Sequence, residues 1–275
     1  KISIPAAITL SATTLSIMLT ILMFSRDTAY SELKYIMFFG SLLLIVLFLY
    51  FEKNRRTQLI GLDIFKNRLF AFSTVAMFLV FVSLASITVL MPFFLEHVKL
   101  FKPQEVGLLL MVIPICGFLI SPLAGYMSDK IQPRFISTFG ISLMICGIYL
   151  LRFLNAETSS LHIILILILP GVGMALFTTP NTSVIMGSVQ KSSLGVAAGI
   201  NAATRTFGLA LGVGLSMALF EYFENRYLFS GSDTINAFIS SYRTVYYYII
   251  LIIIPGLLFS WYRGNRKTNK EDRGR

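Results

Sequence analysis

The sequence has little charge for its length. Of 275 residues, 13% are charged, whereas soluble globular proteins average about 25%. Apolar and aromatic residues make up 56%, and the mean hydropathy is +0.77. So few charged side chains cannot cover the surface of a soluble protein of this size. The composition therefore excludes an ordinary cytosolic enzyme and a disordered chain, and it indicates a protein that folds in a lipid bilayer.

Cysteine, histidine and tryptophan are also scarce. The two cysteines, Cys116 and Cys146, both lie inside apolar stretches, and the chain has two histidines and one tryptophan. This excludes a disulfide scaffold and leaves no cluster with the spacing of a metal site. No nucleotide-binding loop or catalytic triad is visible. We expect a protein that is not an enzyme and that has no metal and no cofactor.

Long uncharged runs are abundant. A helix that crosses the roughly 30 Å hydrocarbon layer needs about 20 mostly apolar residues, and barrel strands would be shorter and alternating. The sequence therefore predicts an all-α integral membrane protein with eight transmembrane helices, and a polar, partly mobile loop over 221–241. The eight runs cover 5–24, 35–51, 70–95, 106–126, 135–151, 161–187, 194–220 and 242–261.

The distribution of Lys and Arg predicts the orientation. The side that contains the residues before the first run and after each even-numbered run has 15 basic residues, and the opposite side has seven. By the positive-inside rule the first side is cytoplasmic, together with a basic, solvated tail over 263–275. We expect a multi-pass protein of the cell membrane. The net charge of +10 is then a topology signal, and we expect no nucleic-acid partner.

Acids are missing from the membrane runs, since all 13 lie in loops or at run ends. Transport against a gradient needs an ionisable group, for which intramembrane acids are the usual carriers. Glu105 follows Pro103 at a predicted helix start, where a carboxylate favours the helix dipole. The membrane runs of this chain therefore contain no candidate acid for such a role.

Arg205 is the one charge inside a run. An intramembrane charge is costly and by default contacts a partner, a substrate or an opposite charge. A structural alternative is that it snorkels or binds backbone carbonyls. Asn201 lies one helical turn before it and Thr204 beside it, so we place Asn201 and Arg205 in a candidate substrate pathway.

Two other runs contribute candidates to the same pathway. Pro170 and Pro180 interrupt the sixth run, where Thr178 and Asn181 offer polar groups. Broken helices near the midplane often hold transporter sites, and a kinked packing helix is the alternative.

The third run supplies an aromatic and thioether wall suited to flat lipophilic cations. A lipid-facing or core role is the alternative there. The candidates of this run are Phe78, Phe81, Ser86 and Met91.

Glycines in the seventh run follow the spacing that lets membrane helices approach closely. We assign helix packing to Gly195, Gly199, Gly208 and Gly212.

The turn after the fourth run combines opposite charges at a helix end. Gly125 permits a close turn, Asp129 can accept hydrogen bonds at a neighbouring helix start, and Lys130 and Arg134 can pair with acids or helix C-termini. We interpret these four residues as a conformational latch. The alternative is a turn that only sets topology.

This turn resembles the G-x-x-x-D-[RK]-x-G-[RK]-[RK] loop of the major facilitator superfamily. Gly125, Asp129, Lys130 and Arg134 follow the pattern, whereas Gln132 and Pro133 depart from it.

Further segments resemble fourteen-span drug:proton antiporters of the EmrB/QacA type. They are Gly61 to Arg68, Pro114 with Ser121 to Gly125, and the spaced residues from Gly195 to Gly212. By this resemblance, residues 1–61 hold two central extra helices and a cytoplasmic linker. Residues 62–262 form the C-terminal six-helix bundle of a partial major facilitator fold, and 263–275 form the tail.

The resemblance implies part of a secondary multidrug exporter. Such a protein exports lipophilic, often cationic, compounds in exchange for protons by alternating access, with the proton gradient as its energy source. Its partners would be the bilayer, the missing N-terminal six-helix half, small lipophilic substrates and protons. Two alternatives remain: a major facilitator carrier for another small solute, and an independent channel, scaffold or intramembrane enzyme.

Overall fold

The computed structural model describes residues 62–264 and, before them, eight isolated helical positions between 12 and 46. Apart from those positions, the first two predicted spans, 5–24 and 35–51, lie outside the described residues. So do the linker over 52–61 and the tail from 265 onward.

The described residues form an all-helical bundle. Six of its segments are long and apolar enough to cross a membrane, and α2 and α3 together make one of them. Short 3-10 turns at Leu62–Lys66 and Lys191–Ser193 precede α1 and α6. The helices are α1 (Arg68–His97), α2 (Pro103–Leu110), α3 (Val112–Lys130), α4 (Pro133–Leu151), α5 (Ser160–Gly187), α6 (Leu194–Phe229) and α7 (Thr234–Tyr262).

Local sequence signals set several helix starts. The Oδ1 of Asn67 accepts a 3.0 Å hydrogen bond from the Leu69 amide and caps α1. The Lys102 amide donates to Oε2 of Glu105 at 2.9 Å at the start of α2, so Glu105 occupies the first-turn position expected of it. Pro133 begins α4, where a missing amide proton costs nothing.

Prolines inside the helices have different local effects. Pro114 has no amide proton for the Leu110 carbonyl four residues earlier, and the helix is interrupted at Met111, between α2 and α3. By contrast, α5 continues through Pro170 and Pro180 as one helix of 28 residues. The structure therefore shows a continuous packing helix there, and not the interrupted helix that was one of the two interpretations.

The loop predicted over 221–241 is mostly helical. Helix α6 continues to Phe229, and α7 begins at Thr234. The rings of Phe220 and Phe238 meet edge-on, with centroids 4.9 Å apart. The prediction was wrong because the charged residues of the α6 extension and the polar residues of the α7 extension obscured the apolar residues through which the two helices pack.

Helix α1 lies at the centre of the bundle. Of its most apolar 18-residue window, 61% is buried, against 11% for α2 with α3 and 28% for α6. Elsewhere α4 and α5 approach closely at a pair of glycines. A Cβ on Gly140 would lie 2.6 Å from the Gly173 carbonyl oxygen, and one on Gly173 would lie 2.5 Å from that of Gly140. Only glycine permits this crossing.

We call the end of the bundle at which α1, α4 and α6 begin the basic end. Because the spans alternate in direction, α3, α5 and α7 finish there. The residues that give the end its name are Lys66, Arg68, Lys130, Arg134 and Lys191.

Candidate functional site

Arg205 projects from α6 toward α1 and α5. It lies eleven residues after Leu194, about 16 Å along the helix at 1.5 Å per residue. Its Nη2 donates a 3.1 Å hydrogen bond to Oγ1 of Thr182 on α5. Its Cζ lies 5.5 Å from the ring centroid of Phe81 on α1. The half-buried guanidinium thus joins three helices inside the membrane region.

Two buried polar atoms in the first half of α6 have no hydrogen-bond partner among the described residues: Nε of Arg205 and Oδ1 of Asn201. Asn201 is 7% exposed and lies one turn before Arg205, so both side chains share one face of the helix. Buried polar groups without partners are rare and costly. Asn201 and Arg205 therefore have hydrogen-bonding capacity that no described residue uses.

Several predicted pathway residues are instead part of the core. Ser86 and Met91 are fully buried. The Ser86 hydroxyl donates to the Ser83 carbonyl at 2.6 Å, and Met91 Sδ accepts from the Tyr242 hydroxyl at 3.4 Å. The Thr178 hydroxyl donates to the Met174 carbonyl of its own helix at 2.7 Å. In this conformation these side chains pack and bond within the bundle.

Phe78 lies in a different place from Arg205. It is half-buried and lines an apolar groove of about 460 Å³ between α1 and α6. Thr74 and Thr204 also line this groove, whereas Phe81 and Arg205 do not. Phe81, three residues later on α1, lies beside Arg205 instead of lining this groove.

Arg263 is the functional candidate that the sequence did not identify. The sequence placed it at the start of a solvated tail, but the structure buries it to 2% exposure. Its Nη1 donates to Oδ1 of Asn181 at 2.5 Å and to Oγ of Ser73 at 3.3 Å, and its Nη2 donates to Oγ of Ser137 at 3.1 Å. The end of α7 is thereby joined to α1, α4 and α5. We call these four residues the Arg263 cluster.

Asn181 belongs to this cluster and not to an open pathway. Its side chain is fully buried, and its Nδ2 donates to the Ser73 carbonyl at 2.9 Å while its Oδ1 accepts from Arg263. Both ends of the amide are occupied within the bundle. The sequence signal for this cluster is an Asn in one apolar run and serines in two others. Such polar side chains need hydrogen-bond partners when they are buried, and Arg263 is the partner that they share.

Burial lowers the pKa of Arg263 to about 10 because the charged form loses its hydration. The guanidinium remains cationic at neutral pH, and its described hydrogen-bond partners are neutral oxygens. Since a buried charge needs nearly complete hydrogen bonding, the cluster fixes the positions of all four helix segments that supply its members.

The four residues of the predicted latch lie at the basic end without a shared contact. Asp129 is exposed, and no ion pair from it to a described residue is present. Lys130 donates to the Tyr126 hydroxyl, and the Arg134 guanidinium lies 5.6 Å from the ring centroid of Trp261. A Cβ on Gly125 would lie 3.7 Å from Thr179 on α5. The latch function stays a prediction.

The four predicted packing glycines fall into two pairs. A Cβ on Gly208 would lie 2.9 Å from the Phe78 carbonyl oxygen, and one on Gly212 would lie 2.3 Å from that of Val82, so this pair packs tightly on α1. Gly195 and Gly199 differ from the expectation, because a Cβ there would meet no described atom within 4 Å. They lie on the exposed start of α6.

The comparison with known families decides the identity of the fold. The profile of the Major Facilitator Superfamily matches residues 73–275. The chain belongs to the Major Facilitator Superfamily. Its members are membrane transporters and typically not enzymes, in agreement with the six membrane-length helices.

Relatives in this superfamily differ in what they are named for. The riboflavin transporter RibZ of Clostridioides difficile is 28% identical over 66% of this chain and 40% of its own length. The multidrug resistance protein Stp of Mycobacterium tuberculosis is 28% identical over 60% and 31%. The multidrug transporter protein MdtP of Bacillus subtilis is 25% identical over 72% and 37%. The chain thus matches less than half the length of each relative.

Proposed function

We propose that this chain forms the C-terminal part of a secondary multidrug exporter that moves small lipophilic compounds in exchange for protons by alternating access. Relatives named for multidrug transport support this cargo class. The observation that carries the proposal is an intramembrane site with unused hydrogen-bonding capacity, at Arg205 and Asn201, in a bundle of this superfamily.

The exposed faces of the bundle support a second six-helix half as partner. Of the most apolar 18 residues, 11% are buried in the span formed by α2 and α3 and 28% in the span that contains α6. Gly107, Gly117, Gly195 and Gly199 on these spans have no described atom within 4 Å of a Cβ position. Small residues let membrane helices approach closely, so these faces fit helices of another half. Asp129, exposed at the same bundle's basic end, would then meet a helix start of that half.

The proton carriers of the proposed exchange would lie mainly on that second half. The carboxylates of the described helices lie in the first turn or the last quarter of their helices: Glu96, Glu105, Asp129, Glu221 and Glu224. None of these described acids is placed at the depth of Arg205. This charge distribution supports a division of labour in which this half binds cargo and the other half carries protons.

Proton exchange can be tested in inverted membrane vesicles. A pH gradient is set by respiration and followed by acridine orange quenching, after which a lipophilic compound is added. Vesicles with the intact transporter that contains this chain should show compound-dependent recovery of fluorescence, and vesicles with residues 1–275 alone should not. Recovery with residues 1–275 alone would reject the need for a second half. No compound-dependent recovery with the intact transporter would reject proton exchange.

A carrier for another solute is the second candidate, because the relative RibZ is named a riboflavin transporter. Riboflavin added in the same assay discriminates the two. Recovery with riboflavin, but with none of several unrelated lipophilic compounds, would favour the dedicated carrier.

A further inference from the structure

The site at Arg205 is rich in hydrogen-bond donors and in positive charge. The guanidinium carries a positive charge and up to five N–H donors, yet its described hydrogen bond is a single one to the neutral Thr182 hydroxyl. No described carboxylate lies near it, since those of the helices are confined to helix ends. The site therefore has an excess of donors and of positive charge.

Asn201 adds an acceptor on the same face. Its Oδ1 is buried and unpartnered, one turn from Arg205. A ligand group that accepts from the guanidinium and carries a neighbouring N–H or O–H would satisfy both residues. The face of Phe81, 5.5 Å from Cζ of Arg205, adds an aromatic surface beside these polar groups.

We propose that Arg205 recognises a hydrogen-bond-accepting group, such as a carboxylate or a conjugated carbonyl, on an aromatic cargo that is neutral or anionic, and that Oδ1 of Asn201 accepts from a neighbouring N–H or O–H of the same cargo. This inference rests on the proposed transport function and specifies its substrate class. In a medium of low dielectric constant, like charges repel more strongly than in water, so Arg205 disfavours a cationic cargo at this position. The planar guanidinium also matches a carboxylate with two parallel hydrogen bonds.

Two dyes with the same xanthene scaffold test the sign of this preference. Fluorescein carries a carboxylate, whereas rhodamine 6G carries an ester and a positive charge. Binding to the intact transporter in phosphatidylcholine nanodiscs is measured by fluorescence anisotropy, with empty nanodiscs subtracted. We expect fluorescein to bind on the order of tenfold more tightly than rhodamine 6G, since a charge-assisted hydrogen bond contributes about this much. Equal binding, tighter binding of rhodamine 6G, or no binding of either dye would overturn the proposal.

Variants test whether Arg205 causes the preference. R205Q should weaken fluorescein binding by about tenfold and leave rhodamine 6G binding unchanged or stronger. R226Q is the matched control, because Arg226 lies on the same helix, exposed and near its far end; it should leave both affinities within about twofold. R205K keeps the positive charge but lacks the planar guanidinium, and it is the variant to use if R205Q does not fold. It should weaken fluorescein binding but retain part of the preference. Unchanged fluorescein binding in R205Q or R205K would reject the assignment.

The two proposals fail in different ways. If the intact transporter exchanges protons for lipophilic compounds but shows no preference for fluorescein, the substrate assignment is rejected and the transport function is retained. If the preference is present and R205Q removes it, but no compound causes proton movement, proton exchange is rejected and the assignment of the binding site is retained.

Discussion

Nη1 of Arg263 donates a 2.5 Å hydrogen bond to Oδ1 of Asn181, 82 residues earlier in the chain. This bond connects the end of α7 to the last third of α5 inside a fully buried environment. The sequence had suggested a solvated tail position for Arg263 and an open pathway position for Asn181. In the structure the two residues contact each other inside the bundle. Its consequences can be tested at either partner.

Removal of Arg263 should destabilise the bundle. R263A leaves three neutral oxygens without their donor and an empty volume among four helix segments, which should cost about 2–4 kcal/mol of unfolding free energy. Thermal unfolding of the purified protein, followed by size-exclusion fluorescence, measures the loss. R226A is the control, since Arg226 is exposed, and it should leave the Tm within a few degrees of wild type. Equal Tm values for all three proteins would contradict a structural role for the Arg263 cluster.

Substitutions at Asn181 should separate charge from packing. N181D places a carboxylate against the guanidinium and should preserve or raise the Tm, although the Ser73 carbonyl loses the hydrogen bond that the Asn181 amide donates. N181L keeps the number and branching of the side-chain heavy atoms but removes the acceptor from Arg263, and we expect a loss of about 3 kcal/mol because a buried charge is left short of partners. A Tm for N181L at or above that of N181D would show that the guanidinium does not depend on this acceptor.

The two glycine pairs of α6 should respond oppositely to alanine. In G212A the new Cβ would lie 2.3 Å from the Val82 carbonyl oxygen, so α1 and α6 must separate at a cost of about 1–3 kcal/mol. In G199A the Cβ meets open space, and the higher helix propensity of alanine favours stability by up to about 1 kcal/mol. The Tm of each variant tests this contrast, which an equal loss in both would contradict.

Substitution of the exposed Gly199 also tests whether a second six-helix half packs on the start of α6. G199L should leave the Tm of residues 1–275 near that of wild type, since no described atom lies within 4 Å of the Cβ position. In the intact transporter it should abolish compound-dependent proton movement if a helix packs closely there. Normal transport by G199L would remove this face from the proposed interface.

Asp129 tests the latch. Because this carboxylate is exposed and has no described ion-pair partner, D129N should change the Tm little. Under the latch hypothesis it should nevertheless reduce transport in the intact protein. The exposed Glu157, in the loop between α4 and α5, provides the control E157Q. Equal transport by D129N, E157Q and wild type would leave the turn with a topological role alone.

The sequence predicted the positions of the described spans well, because a run of apolar residues long enough to cross a bilayer has few alternatives to a helix. It could not predict which faces pack. The contact between the end of α6 and the start of α7 involves pairs such as Phe220 and Phe238, which lie on different helices. The close packing of α5 on α4 at Pro170 depends on Gly147 of α4, where a Cβ would lie 2.5 Å from the proline ring.

The candidate site was predicted in part. Arg205 and Asn201 were found because polar residues in apolar runs are conspicuous, and the structure places them on one helix face. Ser86, Met91, Thr178 and Asn181 were grouped with them by the same rule. Whether such a side chain faces a partner within the bundle or an open site depends on neighbours from other helices. The sequence did not identify Arg263 as a buried residue. A basic residue next to a basic tail is already explained by the orientation of the last span.

The position of Arg263 also defines where the chain can be shortened. A protein that stops after Tyr262 retains every residue of the six membrane-length helices but lacks the side chain that joins α7 to α1, α4 and α5. A protein that stops after Gly264 retains that side chain. The products of a premature stop codon at position 263 and of one at position 265 therefore differ by two residues in length, and the longer product alone keeps the side chain that joins these four helices.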